Sequence, residues 1–463
     1  MPVLRGCRAA LAPLVVMVCV VAAVRGVAGA QDSDELPRKA GHLGVRIAAV
    51  PDDVRKQSNL KPDEGVLVEV VAPETAAARA GLRSGDLLLT IDGRSIEGVP
   101  AFLQAIPRMR AGQRSALGVL RDGKRITAPV TLGTRPPDRG ANFDVLYRHV
   151  KSKGARIRTI VTRPHAPGPH PALVLMQGAA AASIDEPLAS GGPYGKILNA
   201  FAEAGWVTVR IEKPGIGDSE GGPYAETDFT TELDVYRQAL LAVTTTDFVD
   251  RENVFVFGHS MGGVFAPLLA AETPVRGVAV YGTVVKRWID YALENTRRQS
   301  LLAGNKPETT ESAVRALDVL MQDFFVQGRS YDEVLRERAP QRPALQRFFP
   351  DRRYDGRSFR FWSQLQRTDL AAAWTKGTSS VLAMWGRHDF IASEDDHVRI
   401  AALVEKARPG KGTYLALDGI DHGFRQTASM EDSFRRWNTP RGEVNLAVVT
   451  ALKTWTDKVR HVP

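Results

Sequence analysis

The sequence predicts an α/β protein: a mostly parallel sheet with helices on both faces and a helical insertion, preceded by a smaller β-rich module. Three observations carry this. From about residue 143 onward, short apolar runs alternate with long amphipathic helical patterns, as parallel strands joined by crossover helices require. Nearly 100 residues between two of those runs hold no convincing strand. Before residue 134 the pattern consists instead of short strands, short helices and tight turns.

The N-terminal segment reads as a targeting signal. Arg5 and Arg8 precede an apolar run from Ala9 to Val24, Ala28-Gly29-Ala30 supplies a small-residue cleavage site, and the chain turns polar at Gln31-Asp32-Ser33-Asp34. This is the three-part pattern of a secretory signal peptide over residues 1–30. The apolar run is short for a membrane span, and an uncleaved anchor is the alternative. Both cysteines, Cys7 and Cys19, fall inside it. The remaining chain therefore has none, which excludes disulfide scaffolds and cysteine-based zinc sites and suits an oxidising compartment. Export to a periplasm or the medium is the expectation. The 463 residues, 44% hydrophobic and 24% charged, exclude a disordered or fibrous chain.

Residues 39–134 form the first module. Gly65 to Ala72 and Asp86 to Ile91 read as strands, Ala76 to Leu82 and Pro100 to Met109 as helices. Ala116 to Arg121 and Lys124 to Val130 flank Asp122-Gly123, the signature of a type I′ hairpin. The order Gly41-His42-Leu43-Gly44-Val45, an Ala-rich helix, then Ala80-Gly81-Leu82-Arg83-Ser84-Gly85-Asp86 resembles a PDZ domain of the bacterial exported type. The resemblance implies that Leu43, Gly44 and Val45 offer backbone N–H groups to a peptide C-terminus, which adds a strand to a sheet edge. A plain turn at Gly41 and Gly44 is the alternative.

Thr134 to Gly140 is rich in proline and charge, so residues 135–142 read as a linker. In the second module, residues 143–463, six runs read as buried strands: Ala172 to Met176, Val207 to Ile211, Val254 to Gly258, Gly277 to Tyr281, Val381 to Trp385 and Thr413 to Leu417. Val444 to Val459 reads as the final helix. The strand-poor stretch at about 285–372, with helical patterns at Ser312 to Gln327 and Ser358 to Thr368, reads as a cap over the sheet, because a structureless loop of that length is improbable.

Gly258-His259-Ser260-Met261-Gly262 comes directly at the end of the third of these runs, Val254 to Gly258, and precedes an apolar helix. A nucleophile on a sharp strand-to-helix turn needs neighbours two residues away with almost no side chain. Ser260 is thus the candidate nucleophile, and the N–H of Met261 at the helix start is a candidate oxyanion donor. Of the histidines that follow, His422 lies in a loop directly after the last strand and is the candidate base. His397 falls on a helix and reads as a surface residue, and His388 and His461 are less well placed. Asp389, just past the Val381 strand, is the candidate acid. Asp395 and Asp396 begin the next helix and read as its caps. The second oxyanion donor belongs in Gln177-Gly178-Ala179-Ala180, with Ala179 first and Gly178 as the alternative. Gly215-Ile216-Gly217 lacks the third glycine of a dinucleotide site, since position 220 is Glu220. No phosphate loop or metal-ligand cluster is visible, and this chemistry requires neither cofactor nor metal.

This constellation resembles the α/β-hydrolase superfamily. Gln177-Gly178, Gly215-Ile216-Gly217-Asp218-Ser219, Gly-His-Ser-Met-Gly and Asp421-His422-Gly423-Phe424 look most like serine-aminopeptidase-like and dienelactone-hydrolase-like esterases. The resemblance implies a Ser-Asp-His hydrolase acting through an acyl-enzyme. A small or medium carboxylic ester is the first substrate class, an amide or N-terminal peptide bond the second. A binding protein using the PDZ module and an inert hydrolase scaffold is the rival from another class.

The chain carries a net charge of +9, and +6 once Arg5, Arg8 and Arg25 leave with residues 1–30. Arg336 to Arg367 holds nine arginines against Glu337, Asp351 and Asp355, interleaved with aromatics. Solvated arginines over packed aromatics are the plain reading. Attraction of an anionic substrate or surface is the sharper one. Nucleic acid is not an expected partner of an exported protein.

Overall fold

The architecture comes from a computed structural model that describes residues 36–461 apart from 37, 40, 136, 187, 189–191 and 438–442. The expected signal segment lies outside the described residues.

The second module is built on eight strands: β1 (Phe143–Ser152), β2 (Ala155–Pro164), β3 (His170–Met176), β4 (Val207–Ile211), β5 (Val249–His259), β6 (Gly277–Tyr281), β7 (Ser380–Gly386) and β8 (Gly412–Leu417). Their order is β8-β7-β6-β5-β3-β4-β2-β1. Strands β3 to β8 are parallel, and β2 runs antiparallel to both β1 and β4. All six predicted runs are strands. Every residue of β4 and β6 is buried, because helices cover both faces and leave no polar side. Helices α1 (Pro193–Ala202), α2 (Phe229–Thr244), α3 (Met261–Glu272), α4 (Glu394–Ala407) and α5 (Ala447–Val459) supply that cover. The last begins three residues later than expected, where the Asn445 side chain accepts the N–H of Ala447. The sequence reading passes over the β1–β2 hairpin. It turns at Lys153-Gly154, both with positive φ.

The strand order reverses around β3, which has β4 on one side and β5 on the other, with Met176 opposite Gly258. The crevice beyond the carboxyl ends of β3 and β5 is therefore a topological switch point, where α/β sheets place ligands. The segment between β6 and β7 roofs that crevice with helices Trp288–Leu302, Pro307–Met321, Tyr331–Glu337, Arg342–Phe348 and Phe359–Gln366. Its aromatics form the packing layer: Trp288 stacks on Trp362 at 4.5 Å and Phe324 on Phe359 at 4.2 Å. Much of its arginine excess is taken up by acids outside the arginine-rich stretch. Arg338 pairs with Asp323, Arg352 with Asp332, Arg353 with Glu226, Arg357 with Glu232 and Arg360 with Asp228.

The first module has strands Val45–Ala48, Val66–Val71, Leu87–Ile91, Arg114–Arg121 and Lys124–Thr131 in that spatial order, with helix Gly98–Arg108. Asp122 and Gly123 both take positive φ, as the type I′ turn requires. The two modules touch through Leu36, Arg38, Lys39 and the linker residue Asp138. Arg38 grips Asp185 at 2.6 Å, the backbone N–H of Lys39 donates to Asp218 at 2.6 Å, and Asp138 accepts the N–H of Leu188 at 2.8 Å.

Candidate active site

Ser260 sits between β5 and α3 with φ 52° and ψ −120°, a strained conformation for a residue with a side chain. Close packing forces it. A Cβ on Gly262 would lie 1.9 Å from the carbonyl oxygen of Met176, and one on Gly258 would lie 2.7 Å from the Gly262 carbonyl oxygen. The α3 N-terminus is thereby pressed against β3. The N–H of Ser260 donates to Tyr281 and its carbonyl accepts from Gly263, both at 2.9 Å. Met261 opens α3.

Asp389 and His422 meet beyond the ends of β7 and β8. His422 Nδ1 lies 2.8 Å from Asp389 Oδ2, and both side chains are buried. Asp389 Oδ1 is occupied by the N–H groups of Ile391 and Ala392 at 2.8 and 2.9 Å. That leaves Oδ2 to accept Nδ1–H. Gly282 lets the pair close: it has φ +62°, and a Cβ there would come within 2.8 Å of His422 Nδ1 and 3.0 Å of Asp389 Oδ2. Asp421 turns its carboxylate to the N–H of Arg425 instead. Ser260 and His422 line one cavity of about 2000 Å³, together with Met261, Gly178 and Ala179.

Two expectations need correction. His397 is wholly buried, not a surface residue. Its Nε2 accepts the N–H of Thr283 at 3.0 Å, and its Nδ1 donates to the Ser393 carbonyl, which positions the residue next to Gly282. Asp396 is buried too. Ser393 caps α4, while Asp396 accepts the N–H groups of Val285 and Lys286. Both residues anchor the start of the cap, through backbone contacts that helical periodicity does not reveal.

Gly178 follows β3 directly beside Ser260, where a Cβ would lie 3.2 Å from the Cβ of Ser260. Its N–H donates to Tyr194 Oη at 3.0 Å. Tyr194 Oη lies 2.5 Å from His259 Nδ1, and His259 Nε2 lies 2.9 Å from the His422 carbonyl oxygen. Since a carbonyl only accepts, Nε2 carries the proton and Nδ1 accepts from Tyr194. Burial and the neighbouring His422 hold the His259 pKa far below the ordinary histidine value, and burial raises that of Tyr194, so both stay neutral. A neutral relay thus joins the Gly178 loop to the His422 loop. Sequence reasoning missed Tyr194 and Gly282. It met His259 only as the variable residue of the glycine-serine-glycine motif.

In the first module, Gly44 has φ +85°, and a Cβ there would strike Thr75 at 2.2 Å. Leu43 is buried, and Val45 begins the strand Val45–Ala48 at the edge of its sheet. Among the described residues, no helix is long and apolar enough to cross a membrane.

Comparison with known families agrees with this fold. Residues 41–132 match the PDZ domain model, and residues 171–415, more than half the chain, match the model of the alpha/beta hydrolase fold. A probable periplasmic serine endoprotease DegP-like protein of Marinomonas sp. is 36% identical over 96 residues, 21% of this chain and 20% of that protein. The periplasmic pH-dependent serine endoprotease DegQ of Escherichia coli is 31% identical over 96 residues, 21% of each chain. The chain thus spans about a fifth of the length of the curated relatives it matches. Among solved structures, Est1E of Butyrivibrio proteoclasticus with bound ferulic acid is 15% identical, with a TM-score of 0.43 over 67% of this chain and 98% of that one. The chain belongs to the alpha/beta hydrolase fold family and carries a PDZ domain ahead of its hydrolase sheet.

Proposed function

We propose that the protein is an exported serine hydrolase that cleaves carboxylic esters through Ser260, His422 and Asp389. Its domains are a signal peptide at 1–30, a PDZ domain at 39–134, a linker at 135–142 and a capped hydrolase domain at 143–463. The observation that carries the reading is the 2.8 Å His422–Asp389 contact, with His422 lining the same cavity as a strained, glycine-flanked serine.

In this mechanism Ser260 Oγ attacks the acyl carbonyl while His422 Nε2 takes its proton. Asp389 keeps the proton on Nδ1 and stabilises the imidazolium. The N–H groups of Met261 and Ala179 bind the oxyanion, the first at a helix N-terminus and the second on the loop packed against Ser260. His422 then returns the proton to the leaving alkoxide, and water activated by the same base releases the acid. The same groups serve an amide, which is the second substrate class. Leu43, Gly44 and Val45 take a peptide C-terminus, supported by the open strand edge and the positive φ of Gly44. Export is supported by the leader pattern and by the periplasmic proteases that share the PDZ segment.

A fluorophosphonate probe tests the nucleophile. The full chain is labelled, and Ser260→Ala is not. Labelling that persists at another serine in Ser260→Ala rejects the assignment.

A further inference from the structure

The loop that faces Ser260 exposes a row of carbonyls on its far side, and each is held. Lys213, two residues after β4, donates Nζ to the Gly178 carbonyl and, at 3.2 Å, to that of Ala180. Tyr224 Oη donates to the Ala179 carbonyl at 2.6 Å and accepts from Lys213 Nζ at 3.2 Å. A trans peptide is planar, so the N–H of residue i+1 points opposite to the carbonyl of residue i. Holding the Gly178 and Ala179 carbonyls outward therefore aims the N–H groups of Ala179 and Ala180 the other way, toward the side on which Gly178 packs against Ser260.

The brace reaches the cap. Lys213 lies 3.7 Å from Glu232 of α2, and Glu232 is bonded to Arg357 of the cap at 2.8 Å. The Arg357 guanidinium lies between two rings, 4.0 Å from the centroid of Tyr224 and 3.9 Å from that of Phe361. Lys213, Glu232 and Arg357 are almost wholly withdrawn from solvent. Such a buried cluster is costly to keep charged unless every member is paired.

We infer that Lys213 and Tyr224 are positioning residues that set the oxyanion-binding N–H of Ala179, and that Arg357 makes this setting depend on a seated cap. The inference rests on the proposed serine-hydrolase reading. Burial, reinforced by the Arg357 charge, lowers the Lys213 pKa to about 8 against the favourable fields of Glu232 and Glu212. Of the other groups facing it, Glu212 is raised to about 7, Tyr224 is raised by burial and His259 is held neutral. Above pH 8 the neutral amine has two N–H groups for three acceptors, and the brace loosens. The contribution of this group to stability runs the other way. Between pH 8 and 10.5 the unfolded chain keeps a proton the folded one has released, so folding is favoured as pH rises. Falling turnover there is not unfolding caused by Lys213.

The test is the pH profile of p-nitrophenyl acetate hydrolysis by the full chain and its Lys213→Met, Tyr224→Phe and Ser260→Ala variants. Lys213→Met lowers kcat by about 100-fold with KM little changed, the size of losing one oxyanion donor. It also loses the fall in kcat above pH 8. Tyr224→Phe, which keeps the ring under Arg357, lowers kcat about 10-fold, the size of one buried hydrogen bond. It keeps the alkaline fall. If Lys213→Met does not fold, the Tyr224→Phe result decides. Unchanged kcat in Tyr224→Phe, or an alkaline fall that persists in Lys213→Met, overturns the inference while Ser260→Ala stays inactive. Turnover retained in Ser260→Ala instead rejects the serine-hydrolase reading itself.

Discussion

Ser260, His422 and Asp389 are held mainly by backbone, whereas the loop opposite them at Gly178 to Ala180 is held by side chains from distant elements. On the first side, missing Cβ atoms at Gly258, Gly262 and Gly282 let main chain and side chains close to distances no other residue allows. On the second side, Tyr194 of α1, Lys213 after β4 and Tyr224 grip the loop by its N–H and carbonyl groups. The first side is rigid because nothing larger fits. The second, on the inference drawn for Lys213 and Tyr224, is rigid only while its partners are charged, protonated and seated. The proposed chemistry is thus anchored in close packing, and its proposed electrostatic stabilisation in a polar network that the cap touches.

The comparison breaks first at the triad. His422→Ala is expected to lower kcat by about 10⁶-fold and Asp389→Asn by about 10⁴-fold, with a double variant little worse than His422→Ala alone. Steady-state kinetics on p-nitrophenyl butyrate measure all three, with circular dichroism confirming the fold. Equal damage from Asp396→Asn, with Asp389→Asn still active, would move the acid to the other carboxylate. On this side a backbone change is also severe. Gly262→Ala must displace β3 from α3 and is expected to cost more than ~3 kcal/mol in thermal or urea unfolding.

The other side should yield more gently. Tyr194→Phe removes the acceptor of the Gly178 N–H and the donor to His259 Nδ1, without changing the ring against Phe424. The expected loss is about 10-fold in kcat, one buried hydrogen bond, with KM nearly unchanged. A loss as large as that of the triad variants would mean that the two sides are not separable.

The same difference explains what the sequence disclosed. A glycine-flanked serine between a strand and a helix is a local pattern, and so are an acid and a histidine each directly after a strand. Six strands, the cap and the Asp122-Gly123 turn were legible because period, punctuation and turn chemistry are local as well. Lys213 and Tyr224 carry no local mark. Their role exists only because β4 lies beside β3, a neighbour relation that depends on strand order. His397 misled for the opposite reason: helical position suggests a surface, but its face of α4 is covered by the chain leaving β6 at Thr283. The β1–β2 hairpin escaped because β1 is an edge strand with exposed polar residues, so its apolar alternation is diluted.

The gentlest test concerns the PDZ side, which contributes wall and not chemistry. Arg38, Arg110 and Arg135 line the cavity that holds Ser260, and Arg38 and Lys39 bind Asp185 and Asp218. Deleting 31–138 removes that wall and strands Asp185 without its guanidinium, yet removes no atom of the triad, the Ala179 loop or the brace around Lys213. The expected outcome is a lower melting temperature, small-ester kcat within a few-fold of the full chain, and a larger rise in KM for long or bulky esters that reach the removed wall. Arg38→Ala separates the two contributions: it opens the ion pair while keeping the domain, so it should lower the melting temperature less than the deletion and leave small-ester kcat alone. A truncated protein that is folded by circular dichroism but inactive on every ester would place the PDZ side within the active site. In that case the division between backbone-held chemistry and side-chain-held support would need a third member, the contacts of Arg38 and Lys39 with Asp185 and Asp218.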